Sequence, residues 1–251
     1  MYRDPDTIDW EKTPFIIGGD CSNNIGSDYS ALAIIDPYTY EVVGTIRTNM
    51  YSTMLFAQMI ADLMTKYFTK SILVLERNLN GATILDRVIE INPNLMSRIY
   101  GPTDPKTGMV KELGIATTEK SRDLVYGQVL KITVDETSDR IHDKVIIDEI
   151  KSLIRGRNGR IDHPPGGHDD LLLSFLFARW FLIYGDRIER YIDPLKIGCM
   201  EKDFIYGKGS DSKMQDIKNS RLREIDQEDK RKSIKAKQDK ADATGSNGYV
   251  M

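Results

Sequence analysis

The chain has only two cysteines, Cys21 and Cys199, and no CxxC pair. No disulfide framework is indicated, which fits a reducing intracellular setting. Its three histidines, His142, His163 and His168, have a spacing that matches no standard zinc site, and no useful cysteine accompanies them. The first residues, MYRDPDTIDWEKTP, lack the apolar core of a signal peptide. The longest apolar run, Leu171 to Tyr184, is broken by Ser174 and Arg179. It is too short to span a bilayer and reads as a buried helix, so no membrane partner is expected. There is no excess of positive charge: the formal net charge is -3. That argues against a bulk basic nucleic-acid binder but leaves room for a local basic groove. No internal repeat is found, and no G-x-x-x-x-G-K-[ST] loop occurs. Gly207-Lys208 lacks the upstream glycine and strand, so a P-loop ATPase is not expected.

What is present is a core-forming chain. Hydrophobic residues make up 40% of 251, which suits one large domain, or a domain with a tail. Residues 1–13 are polar and read as an arm or linker. Residues 14–206 read as the folded domain. From residue 207 the composition turns to mixed charges, a solvated helix or a disordered tail.

The chain is organised around Phe15 to Cys21. An apolar strand runs through Gly18 and Gly19 to one carboxylate, Asp20, and paired glycines allow close approach of backbone or ligand. A turn-like stretch, residues 22–28, precedes a second strand over 29–36. After the Asp36-Pro37 turn a third strand covers 41–48, completing an antiparallel meander. A helix is predicted over 52–68, with Leu55, Met59, Ile60, Leu63 and Tyr67 inward. The run SILVLE, 71–76, reads as a buried central strand that also ends in an acid, Glu76. If the two acid-ending strands lie side by side and parallel, both acids sit at one sheet edge, where ligand sites of α/β sheets gather.

Further on, a helix is expected over 82–91, a short strand over 97–100 and a loop or hairpin over 101–113. A helix over 118–130 is capped by Thr117 or Thr118. A short strand over 131–134 and an amphipathic helix over 141–154 follow, the latter with Val145, Ile146, Ile150, Leu153 and Ile154 inward. The stretch RGRNGRIDHPPGG, 155–167, is basic and glycine-rich. Arg155, Arg157 and Arg160 fit phosphate contacts, and equally a solvated hairpin tip. His163 and His168 would shape the loop near Asp169 and Asp170, which open the apolar helix. Acids there suit the helix dipole. Adjacent helix residues point about 100° apart, so one of the pair should face the site more fully.

Asp20, Glu76 and Asp169/Asp170 thus come from three separate elements. Like charges brought together raise one another's pKa, and a divalent cation removes that penalty. All-oxygen ligands suit Mg²⁺ or Mn²⁺. Two such ions about 4 Å apart can activate water and stabilise the leaving oxygen of a phosphodiester.

Four stretches in this order, GGDCS…GSDYSALAIID, ILVLERNLNGATILDRV, ELGIATTEKSRDLV and IDHPPGGHDDLLLSFLFA, resemble the C-terminal nuclease domain of tailed-phage terminase large subunits. The resemblance covers residues 14–184 and implies an RNase H-like/RuvC-like α/β fold, a mixed central sheet with helices on both faces. It implies a metal-dependent endonuclease cutting double-stranded viral DNA during genome packaging in the host cell cytoplasm. Asp20 and Glu76 match the first two acids. Asp170 matches the third, with Asp169 as alternative or auxiliary ligand. Lys120 matches a basic position and is a candidate phosphate contact. The resemblance also implies a terminase ATPase domain or subunit as partner, with the portal and small terminase subunit beyond it. A RuvC-like resolvase and a non-catalytic DNA-binding or docking module are the competing readings.

Overall fold

The computed structural model describes residues 4–198 except 5, 7, 9, 23–25, 27, 105, 157–158 and 194–195. Cys199, the expected tail and most of the turn after Cys21 lie outside the described residues. A four-stranded sheet has the order β3-β2-β1-β4. β1 (Ile16–Asp20) pairs antiparallel with β2 (Ser30–Ile35), and β2 antiparallel with β3 (Val42–Thr48). The meander is as expected. β4 (Ile72–Leu75) lies parallel to β1, with Ile16 opposite Ile72 and Gly19 opposite Leu75. The condition for gathering the two acids is met.

Alternation along the strands feeds two cores. Phe15, Ile17, Leu32, Leu73 and Leu75 face α1 (Thr53–Asp62) and α2 (Gly81–Ile91). Ile8 and Trp10 pack on that side too, Trp10 against the rings of Phe15 and Phe68. Ile16, Ala31, Ala33, Ile72 and Val74 face α6 (Asp170–Tyr184). Around α6 pack α3 (Glu119–Leu124), α4 (Leu130–Thr137), which continues α3 through a π-helical turn at Val125–Val129, and α5 (Lys144–Ser152). Helices therefore cover both faces of a mixed sheet.

Gly18 shows why α6 can lie directly on β1. A Cβ there would stand 2.0 Å from the Ser174 carbonyl oxygen, so only glycine permits this approach. Ser174 fastens the contact. Its Oγ accepts from the Asp20 N–H at 3.0 Å, and it lies 2.8 Å and 3.0 Å from the carbonyls of Asp170 and Ala31.

Four expectations change. Residues 131–134 are in α4, not in a strand. Ile132, Thr133 and Val134 favour strands, but Leu130, Thr133 and Thr137 share a helical face and are buried. Residues 93–98 form a 3₁₀ helix, and Ile99 makes a parallel bridge to Leu73 instead of a longer strand. The buried stripe of α1 and its π-helical extension (Leu63–Tyr67) is Phe56, Ala57, Ile60, Ala61 and Met64. Leu55 and Tyr67 are exposed. In α5, Val145 is exposed, and Ile154 falls beyond the helix in β5 (Ile154–Arg155). Residues 101–113 form a hairpin, closed by a Thr103–Val110 bridge. β5 and β6 (Ile161–Asp162) make a second one.

Candidate metal centre

The parallel register carries β1 and β4 to a common end. The Glu76 N–H donates to the Gly19 carbonyl at 2.9 Å, so Asp20 and Glu76 follow each other across the sheet edge. Asp20 is held well above the usual carboxylate range. Burial is the main cause, followed by the Glu76 charge, a hydrogen bond with Glu76, and the charges of Asp170 and Asp169. Glu76 is also raised by burial, against the lowering effects of its bond with Asp20 and of Arg122. Thr117 Oγ1 donates to Glu76, and Asn78 Nδ2 donates to it at 3.2 Å and to the Thr117 carbonyl at 2.7 Å. The Glu76 carboxylate is thereby fixed from the segment that leads into α3.

Asp169 occupies the N-cap position of α6 yet makes no side-chain cap bond. Its Oδ2 accepts from Arg122 Nη2 at 2.8 Å and from the Tyr126 hydroxyl. Arg122 also reaches Asp162, at 3.3 Å. Oxygen or nitrogen atoms of Asp162, His163 and Asp169 lie within 4.8 Å of one another. Asp170, the next residue, faces other partners. Arg47 Nη2 stands 3.8 Å and His168 Nδ1 3.5 Å from its Oδ2. Burial, then Asp169, raises its pKa, against His168 and Arg47.

The structure thus brings Asp20, Glu76, Asp169 and Asp170 into one electrostatic cluster. Asp170 Oδ2 is buried without a hydrogen-bond partner, one of a few such side-chain atoms among the described residues. A buried oxygen that accepts no hydrogen bond, in an all-carboxylate set whose pKa values burial raises, fits a hard divalent cation. The three histidines part company: His142 pairs with Glu41, His163 lies by Asp162 and His168 by Asp170.

The candidate phosphate contacts are not all alike. Lys120 is exposed in the first turn of α3, two residues before the Arg122 that reaches the acids. Arg155 is exposed on β5. Arg160 pairs with Glu119 at 3.1 Å and Asp123 at 3.7 Å. Arg155, Arg160 and Tyr126 border one cavity of about 260 Å³, so the hairpin adjoins the acids through Tyr126. Arg157 lies outside the described residues.

Sequence reasoning missed Arg47, Arg122, Tyr126, Thr117, Asn78 and Glu149. Only Glu149 carried a usable signal: it follows Ile146 by three positions on the apolar stripe of α5, an acid where a hydrophobe belongs.

Neither a protein-family model nor a curated protein matches the chain. Solved structures do. The large terminase nuclease from thermophilic phage G20c, with bound magnesium, aligns at a TM-score of 0.51 and 17% identity, over 67% of this chain and 82% of that one. The fold is that of the large terminase nucleases. The human cytomegalovirus terminase nuclease domain, soaked with manganese, aligns at 0.46 and 14% identity, over 70% of this chain and 86% of that one.

Proposed function

We propose that this terminase-nuclease fold is a metal-dependent endonuclease that hydrolyses double-stranded viral DNA during genome packaging. The observation that supports it most is the meeting of Asp20 and Glu76 at adjacent parallel strand ends with the acids that open α6. Asp20, Glu76 and Asp170 would hold Mg²⁺ or Mn²⁺, two ions in the fuller reading. Asp20 would be the central ligand, since it ends the strand between β2 and β4 and is acted on by the charges of Glu76, Asp170 and Asp169. Asp170 is the main ligand of its pair, since its Oδ2 accepts no hydrogen bond while Asp169 Oδ2 is taken by Arg122 and Tyr126. When bound, the ions would supply an activated water and stabilise the leaving oxygen.

The residues of the chain do the rest. Thr117 and Asn78 orient Glu76, Ser174 fixes the Asp20 backbone, and Arg122 neutralises Asp169 next to the cluster. Lys120, Arg155, Arg157 and Arg160 are proposed to contact the phosphate backbone, a mode that positions DNA without reading its sequence. Packaging would place this chain in the host cell cytoplasm beside a terminase ATPase, the portal and the small subunit. Plasmid cleavage with Mn²⁺, Mg²⁺ or EDTA, run beside Asp20→Ala, tests the reading. Nicking and linearisation that need metal and vanish in the variant are expected. Cleavage insensitive to both EDTA and the substitution would overturn it.

A further inference from the structure

An α-helix leaves its first N–H groups without intrahelical partners, and the N-cap side chain usually takes one at N2 or N3. In α6 that residue is Asp169, and its side chain does not do so. The Leu172 N–H, at N3, instead donates to Glu149 Oε2 at 2.7 Å. Glu149 comes from α5 and is itself buried at 6% exposure. Its other oxygen, Oε1, has no hydrogen-bond partner and stands 3.6 Å from Arg47 Nη2. The same Arg47 nitrogen faces Asp170 at 3.8 Å, and its guanidinium lies on the Tyr29 ring at 3.7 Å. A buried acid on an apolar stripe is costly, so its use should be specific.

We infer that Glu149 is a positioning residue for the metal site: it caps α6 in place of Asp169, which leaves the Asp169 carboxylate turned off its own helix, onto Arg122 and Tyr126 beside Asp20. The inference rests on the metal-nuclease reading. A self-capping Asp169 would be turned back onto its own helix, away from Arg122 and Tyr126. Arg47 then spans Glu149 and Asp170, so the cap and the ligand share one cation. α5 is held by its own cap, where Asp143 Oδ1 accepts from Val145 and Ile146 N–H and Oδ2 accepts from Thr45 Oγ1. Glu149 is therefore presented from a fixed platform, and a shorter side chain cannot follow Leu172.

Two conservative variants of the full chain separate capping from folding. Mn²⁺ binding is measured by calorimetry, and melting is followed alongside. Glu149→Gln keeps a carbonyl oxygen that can accept from Leu172, so its Mn²⁺ affinity should stay within about threefold of the parent. Glu149→Asp withdraws the acceptor and should weaken Mn²⁺ about tenfold or more, the usual scale for a residue that orients a ligand, while the cooperative melt survives. Unchanged affinity in Glu149→Asp, equal weakening in both variants, or loss of the melt in Glu149→Asp would each overturn the inference. A parent chain that takes up no Mn²⁺ would instead remove the metal-nuclease reading on which it stands.

Discussion

Asp169 and Asp170 are neighbours in sequence and unlike in surroundings. Asp169 faces α3 and the 155–167 hairpin, where Arg122, Tyr126, Asp162 and His163 gather. Asp170 faces Arg47 of β3, Glu149 of α5 and His168 just before its own helix. A step of about 100° around one helix end separates a hydrogen-bonded carboxylate oxygen from one that only faces charged neighbours at longer range. Local sequence supplies two acids, and tertiary partners decide what each can do.

The strongest way to break this contrast is substitution. Asp20→Ala, Glu76→Ala and Asp170→Ala should each drop plasmid cleavage below detection with the far-UV spectrum intact. Asp169→Ala should slow it only about ten- to a hundredfold, the scale of a supporting residue. Full turnover by Asp170→Ala would reverse the two roles. Gly18→Ala is a control that strikes both sides together. Its methyl would meet the Ser174 carbonyl, and pushing α6 off β1 should cost about 3 kcal/mol in a denaturant titration. A stable Gly18→Ala chain with normal cleavage would show that the close approach is not required.

A third test is pH. Burial raises Asp20, Glu76 and Asp170, and Glu149 to about 7. Acids whose folded pKa is raised contribute stability that is present below the ordinary carboxylate range and lost as pH rises through the folded value. The metal-free chain should therefore melt higher near pH 5 than near pH 8, and Mn²⁺ should raise the melting temperature more at the higher pH. A melting temperature that falls on acidification across that window would contradict the cluster. The smallest effect sits in the hairpin. Arg155→Ala should lower the salt slope of DNA binding by about one unit if Arg155 meets a phosphate. Arg160→Ala should change it less, because its guanidinium already serves Glu119 and Asp123.

Much of the frame was legible because it rests on local pattern. The apolar runs ending in Asp20 and Glu76, the meander, the Thr118 cap and the apolar helix α6 follow from spacing and propensity. The acids of the proposed site came from the same signals, helped by family resemblance. What pairs with those acids was not legible. Arg47 and Arg122 look like any surface arginine, and their partners lie in distant segments. The strand expected at residues 131–134 failed for a related reason: β-branched residues were read locally, whereas burial along one helical face decided the outcome.

The seat of α6 on Gly18 also sets an order of events. The bond from the Asp20 N–H to Ser174 spans 154 positions of chain, a long-range contact of the kind that forms late. Until α6 is made and docked, Asp20 and Glu76 stand without the acids that open that helix. Under the proposed function, a chain cut short before residue 170 would lack the third acid, and competence to cut would come only once α6 has been made and docked.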